Sequence, residues 1–176
     1  MTPDSLLTLL TDLGIEHRTV DHPPMRTVED SQRLRGNLPG GHFKNLFLKD
    51  KKGQFFLVVA GEERPVNLKS LREPLDAAHL SFGKPEALRA VLGVEPGAVT
   101  PFGLANDRDA QQILRVGLDR PAVTSHEWVH FHPLSNEKTT AIRSTDLSRF
   151  LDWTGHEVRW LDLEAPSSAS NELERE

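Results

Sequence analysis

Three stretches of this sequence carry polar groups where packing alone would ask for apolar ones. In Gly40-Gly41-His42-Phe43-Lys44-Asn45-Leu46-Phe47-Leu48, Lys44 and Asn45 interrupt an apolar run that follows a pair of glycines. A lysine so placed either snorkels its ammonium back to water or stands at a pocket mouth as a compact charge for a phosphate. Asn45 both donates and accepts, which suits a carbonyl or a sugar hydroxyl. A second stretch runs from Gly93 to Gly103, where Gly93, Gly97 and Pro101 recur every four residues. Across Gly97, Ala98, Val99, Thr100 and Pro101 such a composition holds backbone N–H and C=O groups rigidly toward a ligand, although loops also combine glycine and proline for turns alone. The third stretch is Val129 to Thr140. Strand alternation places His130 and His132 on one face with Trp128, and Asn136 follows in the next turn. Two histidines at that spacing could share a metal, but no third ligand stands near them, so no metal or other cofactor is expected. Hydrogen bonding or proton handling in a pocket is the favoured role.

These groups need elements to hold them. Leu6, Leu7, Leu9, Leu10 and Leu13 share a broad helical face, with start signals at Thr2-Pro3-Asp4 and a stop at Gly14. Thr27 to Asp30 fits a capping box that opens a short helix. Phe43–Leu48 and Gln54–Ala60, joined by the turn at Asp50 to Gly53, predict a β-hairpin. A helical turn is expected over Asn67–Leu71 and a helix over Pro85–Leu92, with proline in its first turn. Strands are expected over His79–Phe82, Val99–Leu104, Gln111–Leu118, Trp128–Phe131 and Val158–Leu163. A helix over Thr145–Trp153 precedes Gly155 at its C-terminal cap. Helices and strands do not alternate regularly. This pattern predicts the α+β class: one domain over residues 1–164, a mixed β-sheet or barrel with helices packed around it. The Ser-, Asn- and Glu-rich residues 165–176 are expected to form a disordered acidic tail.

Composition narrows the function. A chain of 176 residues suits one domain, and the absence of cysteine removes disulfides, thiolate nucleophiles and Cys-ligated zinc. No apolar run is long enough to span a bilayer, and the N-terminus lacks the layout of a signal peptide, so the cytoplasm is the expected address. The net charge of −5 conceals a division. Arg33 to Arg89 holds eleven Lys or Arg against six Asp or Glu, while the remainder holds ten against twenty. A basic middle on an acidic body can bind an RNA backbone locally while discouraging non-specific binding.

The run Gly41-x-x-Lys44-Asn45-Leu46-Phe47-Leu48-x-Asp50 resembles the signature of the YbaK-type editing family, relatives of the insertion domain of bacterial prolyl-tRNA synthetase. The Gly93/Gly97/Pro101 loop resembles that family's glycine–proline motif. Phe131-His132-Pro133-Leu134 with Asn136 and Thr139, then Asp146-Leu147 and Thr154-Gly155-His156, resembles its C-terminal half. The matches run in order from about Gly14 to Leu163. They sit nearest the branch of freestanding alanyl-tRNA(Pro) deacylases, with His130 as an additional histidine beside the motif one.

The resemblance implies a YbaK-like fold and hydrolysis of a mischarged aminoacyl ester at the 3′-terminal adenosine of tRNA(Pro), without metal or covalent enzyme intermediate. The sequence also lacks a nucleophile-elbow serine. Lys44, Asn45 and His132 are then the catalytic set: Lys44 for the terminal phosphate, Asn45 for the ester or ribose, His132 for positioning. Gly97 to Pro101, His130 and Asn136 are expected to bind substrate, and the neighbouring ribose hydroxyl to orient the attacking water. Implied partners are the tRNA(Pro) acceptor end and prolyl-tRNA synthetase, with no membrane and a monomeric chain. Two alternatives stay open: a deacylase for Cys-tRNA(Pro) or Ser-tRNA, and a tRNA-binding module without catalysis.

Overall fold

The N-terminal leucines form α1 (Pro3–Asp12), which buries Leu6 and Leu10 and is closed at its start by a reciprocal capping box between Thr2 and Ser5. The computed structural model describes residues 1–25 and 27–163. The expected acidic tail lies outside them. After β1 (His17–Asp21) comes α2 (Val28–Asn37), opened by Thr27, whose hydroxyl accepts from the Asp30 N–H. The hairpin pairs β2 (Gly41–Asp50) antiparallel with β3 (Phe55–Gly61), Asn45 opposite Val59. Asp50 builds its turn: Oδ1 accepts from the N–H groups of Lys52 and Gln54, and Oδ2 accepts from that of Ala78. The aspartate that ends the lysine-containing motif is therefore a structural anchor.

The elements that follow are α3 (Leu68–Leu75), β4 (Leu80–Phe82), α4 (Pro85–Leu92), β5 (Ile113–Asp119), α5 (Arg120–Thr124), β6 (Trp128–Phe131), β7 (Lys138–Arg143), α6 (Ser144–Thr154) and β8 (Glu157–Leu161). The strands form one eight-stranded mixed sheet in the order β1-β7-β6-β2-β3-β5-β8, with β4 paired to β2. This is the α+β fold with surrounding helices that the sequence predicts. One strand assignment is corrected. Val99–Leu104 forms no strand; 3-10 turns span Pro96–Ala98 and Pro101–Asp107, the second capped by Thr100 through the Phe102 N–H. Two prolines at first-turn positions and a capping threonine outweigh an apolar pattern too short to tell strand from turn.

Alternation along the hairpin sorts the core into two layers. Leu57 and Val59 of β3 point into a cluster with Leu6, Leu92, Phe102 and Phe150. Their neighbours Phe56, Val58 and Ala60 point the other way, onto Leu71, Leu75 and Leu161. Both faces of β3 are covered, which is why its sequence is a continuous apolar run. The same alternation on β2 sends Phe43 and Phe47 to the first layer, and Leu46 and Leu48 to the second. Lys44 and Asn45 consequently leave β2 on opposite faces.

Candidate active site

On the side of β2 that carries Phe43, a small pocket of about 60 Å³ is lined by Asn45, His130, His132 and Thr139, with Met25 and Leu34 across it. Three of the expected site residues meet here. Lys44 lines a different space, a groove of about 580 Å³ beneath α3 and β4. The two adjacent residues are brought close by the edge of β2 itself. That edge pairs with β6 at Gly41–His42 and with β4 at Leu48–Asp50, and among the described residues no strand covers the interval. The carbonyl of Phe47 leaves toward this edge, accepting from the Gly83 N–H at 2.9 Å. Backbone groups alternate in direction along an antiparallel strand, so those of Asn45 and Phe43 point to the same open edge.

His132 is held in one tautomer. Its Nδ1–H donates to the Lys138 carbonyl at 2.8 Å, and a carbonyl can only accept, so in the neutral ring Nε2 carries the lone pair. Burial pushes the imidazole below its usual pKa; the Lys138 carbonyl opposes that shift, and His22, with ring centroids 6.2 Å apart, adds to it. His132 is thus a neutral acceptor at physiological pH. His130 is occupied differently. Its ring stacks on His42 at 4.6 Å, its Nε2 donates to the Pro39 carbonyl, and His42 Nε2 donates to the Leu38 carbonyl. Burial lowers its pKa as well, opposed by the Pro39 carbonyl and aided by His42 and His126. The His42–His130 stack ties the turn before β2 onto β6 and so shapes the pocket wall.

Asn45 contributes an acceptor with no protein partner: its Oδ1 is buried and makes no hydrogen bond among the described residues. A buried polar atom left unsatisfied costs about 1–3 kcal/mol, so such an atom marks a place where a ligand donor fits.

The Gly97 loop and Asn136 meet each other but line neither space. A Cβ on Gly97 would stand 3.1 Å from Asn136 Nδ2. Ala98, Thr100 and Pro101 are buried, Val99 is half-buried, and Gly97 alone is exposed. The loop therefore buttresses the turn after His132, where Leu134 takes a φ of 67°.

Sequence reasoning had no site role for His22, His42 or Thr139. His22 Nδ1–H donates to the Pro23 carbonyl at 2.9 Å, leaving Nε2 to accept from the Thr139 hydroxyl at 2.8 Å. These contacts join β7 to a loop more than a hundred residues away in the chain, and no local pattern encodes them. His156, from the motif Thr154-Gly155-His156, lies elsewhere: its Nε2 meets buried Asp107 Oδ2 at 2.9 Å. No group of three or more His, Asp or Glu residues is placed to hold a metal among the described residues.

The mixed sheet with its surrounding helices is shared with solved structures. A crystal structure described as a proposed trans-editing enzyme for prolyl tRNA synthetase superposes with a TM-score of 0.67 at 20% identity, covering 94% of this chain and 99% of that one. The family model for the aminoacyl-tRNA editing domain matches residues 22–150, and the chain belongs to that family. It is 38% identical over 148 residues to prolyl-tRNA synthetase associated domain-containing protein 1 of Danio rerio, covering 84% of this chain and 79% of the relative. It is 31% identical over 160 residues to the prolyl-tRNA editing protein ProX of Acetoanaerobium sticklandii, covering 90% and 96%. No helix among the described residues is long and apolar enough to cross a membrane.

Proposed function

We propose that this protein is a trans-editing hydrolase that cleaves the ester of alanine mischarged on tRNA(Pro). The observation that carries the reading is the shared pocket of Asn45 and His132, one with an unpaired buried acceptor and the other with a fixed, neutral one. Asn45 Oδ1 accepts from a ribose hydroxyl of the terminal adenosine. His132 Nε2 accepts from the substrate and holds the ester carbonyl where water can reach it. Lys44 meets the terminal phosphate across the open edge of β2. Water adds to the carbonyl carbon, the acyl C–O bond breaks, and the ribose oxygen takes a proton as alanine departs. Holding water and carbonyl together supplies much of the barrier reduction.

Selectivity follows from size. The pocket is small, about 60 Å³. It admits a methyl side chain and rejects the proline ring by clash. Rejection by clash can be strong, whereas discrimination by looser fit yields only about 1–3 kcal/mol per methylene. The substrate partner is the acceptor end of tRNA(Pro), mischarged by prolyl-tRNA synthetase in the cytoplasm, and a single chain carries the whole site.

Deacylation of Ala-, Cys-, Ser- and Pro-tRNA(Pro) tests this reading. Rapid loss of alanine with proline spared is the expected result. Preference for cysteine or serine would reassign the substrate. RNA binding without hydrolysis of any of the four would make the protein a binding module.

A further inference from the structure

The groove on the second face of β2 has a composition that the pocket does not explain. Its ionisable lining residues are all basic, in a chain whose net charge is −5. Lys69 and Arg72 stand one turn apart on α3, both exposed, and His79 faces them from the start of β4. The floor is apolar, with Leu46 and Leu80. At its rim Phe82 is 64% exposed, the most exposed large hydrophobic side chain among the described residues. An exposed aromatic ring beside a row of cations is what an unpaired nucleic-acid strand uses: bases stack on the ring while phosphates follow the charges. Within a paired stem each base is stacked on both faces and offers none to Phe82.

We propose that this groove binds the unpaired 3′ end of the tRNA and delivers the terminal nucleotide over the open edge of β2 into the pocket. The inference rests on the editing function proposed above and adds the path of the RNA. The geometry for the crossing is local. Lys44 lines the groove and Asn45 lines the pocket, and consecutive Cα atoms are about 3.8 Å apart. Stacking penultimate bases near Phe82 thereby places the last ribose at Asn45.

The test uses the full chain and two fluorescent acceptor-stem hairpins, one ending in the unpaired 3′ nucleotides and one without them. The first should bind at least about tenfold more tightly. The double variant Lys69→Glu/Arg72→Glu should weaken its binding about tenfold or more and reduce the salt slope by about 1.4, since each single-strand phosphate contact contributes about 0.7. Phe82→Ala should weaken it about fivefold, the lower end of what one stacked base supplies. Thermal melts confirm that each variant folds. Hydrolysis of alanyl-adenosine, which has no RNA to fill the groove, should be unchanged in both variants. Equal affinity for both hairpins, or variants that bind like the parent, would overturn the proposal; an acidic protein partner for the groove would give that result. Loss of all hydrolysis with binding intact would instead count against the editing function while leaving the RNA path standing.

Discussion

His132 Nδ1 and the carbonyl oxygen of Lys138 lie 2.8 Å apart, and this one contact decides which ring nitrogen of His132 is available to a substrate. Because Nδ1 donates, Nε2 must accept. Protonation of Nε2 would turn the acceptor into a donor and abolish its role. Burial lowers the pKa of this histidine from its ordinary 6.5, so the neutral form persists to more acidic pH than a free imidazole would allow. The acid limb of single-turnover deacylation should therefore fall below pH 6.5, and a limb above that value would mean another group controls the rate.

His132→Ala should reduce deacylation about a hundredfold, and His130→Ala markedly less, because His130 spends its Nε2 on the Pro39 carbonyl and its ring on His42. Parallel single-turnover rates on Ala-tRNA(Pro) decide the order. The reverse ranking would move the functional role to the stacked pair.

Asn45→Ala removes the unpartnered acceptor, so it should not cost the stability that loss of a buried hydrogen bond usually does. The melting temperature should stay within a few degrees while kcat/KM drops about tenfold, the worth of one good hydrogen bond to substrate. A large fall in stability with unchanged turnover would make Asn45 a packing residue.

Lys44→Ala should lose most deacylation with the fold preserved, since β2 keeps its pairing with β3 through the backbone and the layer behind it through Leu46 and Leu48. Circular dichroism and a melting curve check the fold. Turnover near that of the parent would exclude Lys44 from the site.

Asp107 should govern stability rather than activity. Its carboxylate is buried, and burial alone would raise its pKa; hydrogen bonds from His156 and from the N–H groups of Ile113 and Gln112 overcome this and hold it below 3.8. A carboxylate depressed in the folded state contributes stability that is complete above its unfolded value. That contribution is lost as pH falls below about 3.8 and through the folded pKa. Asp107→Ala should cost about 3 kcal/mol or more in denaturant unfolding, because it leaves His156 and two N–H groups buried without their acceptor. A cost under about 1 kcal/mol would show that water replaces the carboxylate.

Features set by neighbours in the chain were legible in the sequence. The capped leucine helix, the hairpin around Asp50, the helix ended by Gly155 and the motif residues Lys44, Asn45 and His132 all follow from local periodicity, caps and turns, or from the family resemblance. The 3-10 turns at Pro96–Ala98 and Pro101–Asp107 escaped, because their short apolar pattern fits a strand equally well. What only the tertiary structure decided is how these residues divide between two faces. Lys44 and Asn45 are neighbours in the motif, yet pleating sends one to a basic groove and the other to a small pocket. Whether the β2 edge between them is open depends on where β4 and β6 stop pairing, and those strands come from distant parts of the chain. The motif sets His132 apart from His130, but which nitrogen each ring leaves free is decided in space: it is set by the carbonyl the other nitrogen meets, and folding chooses that carbonyl.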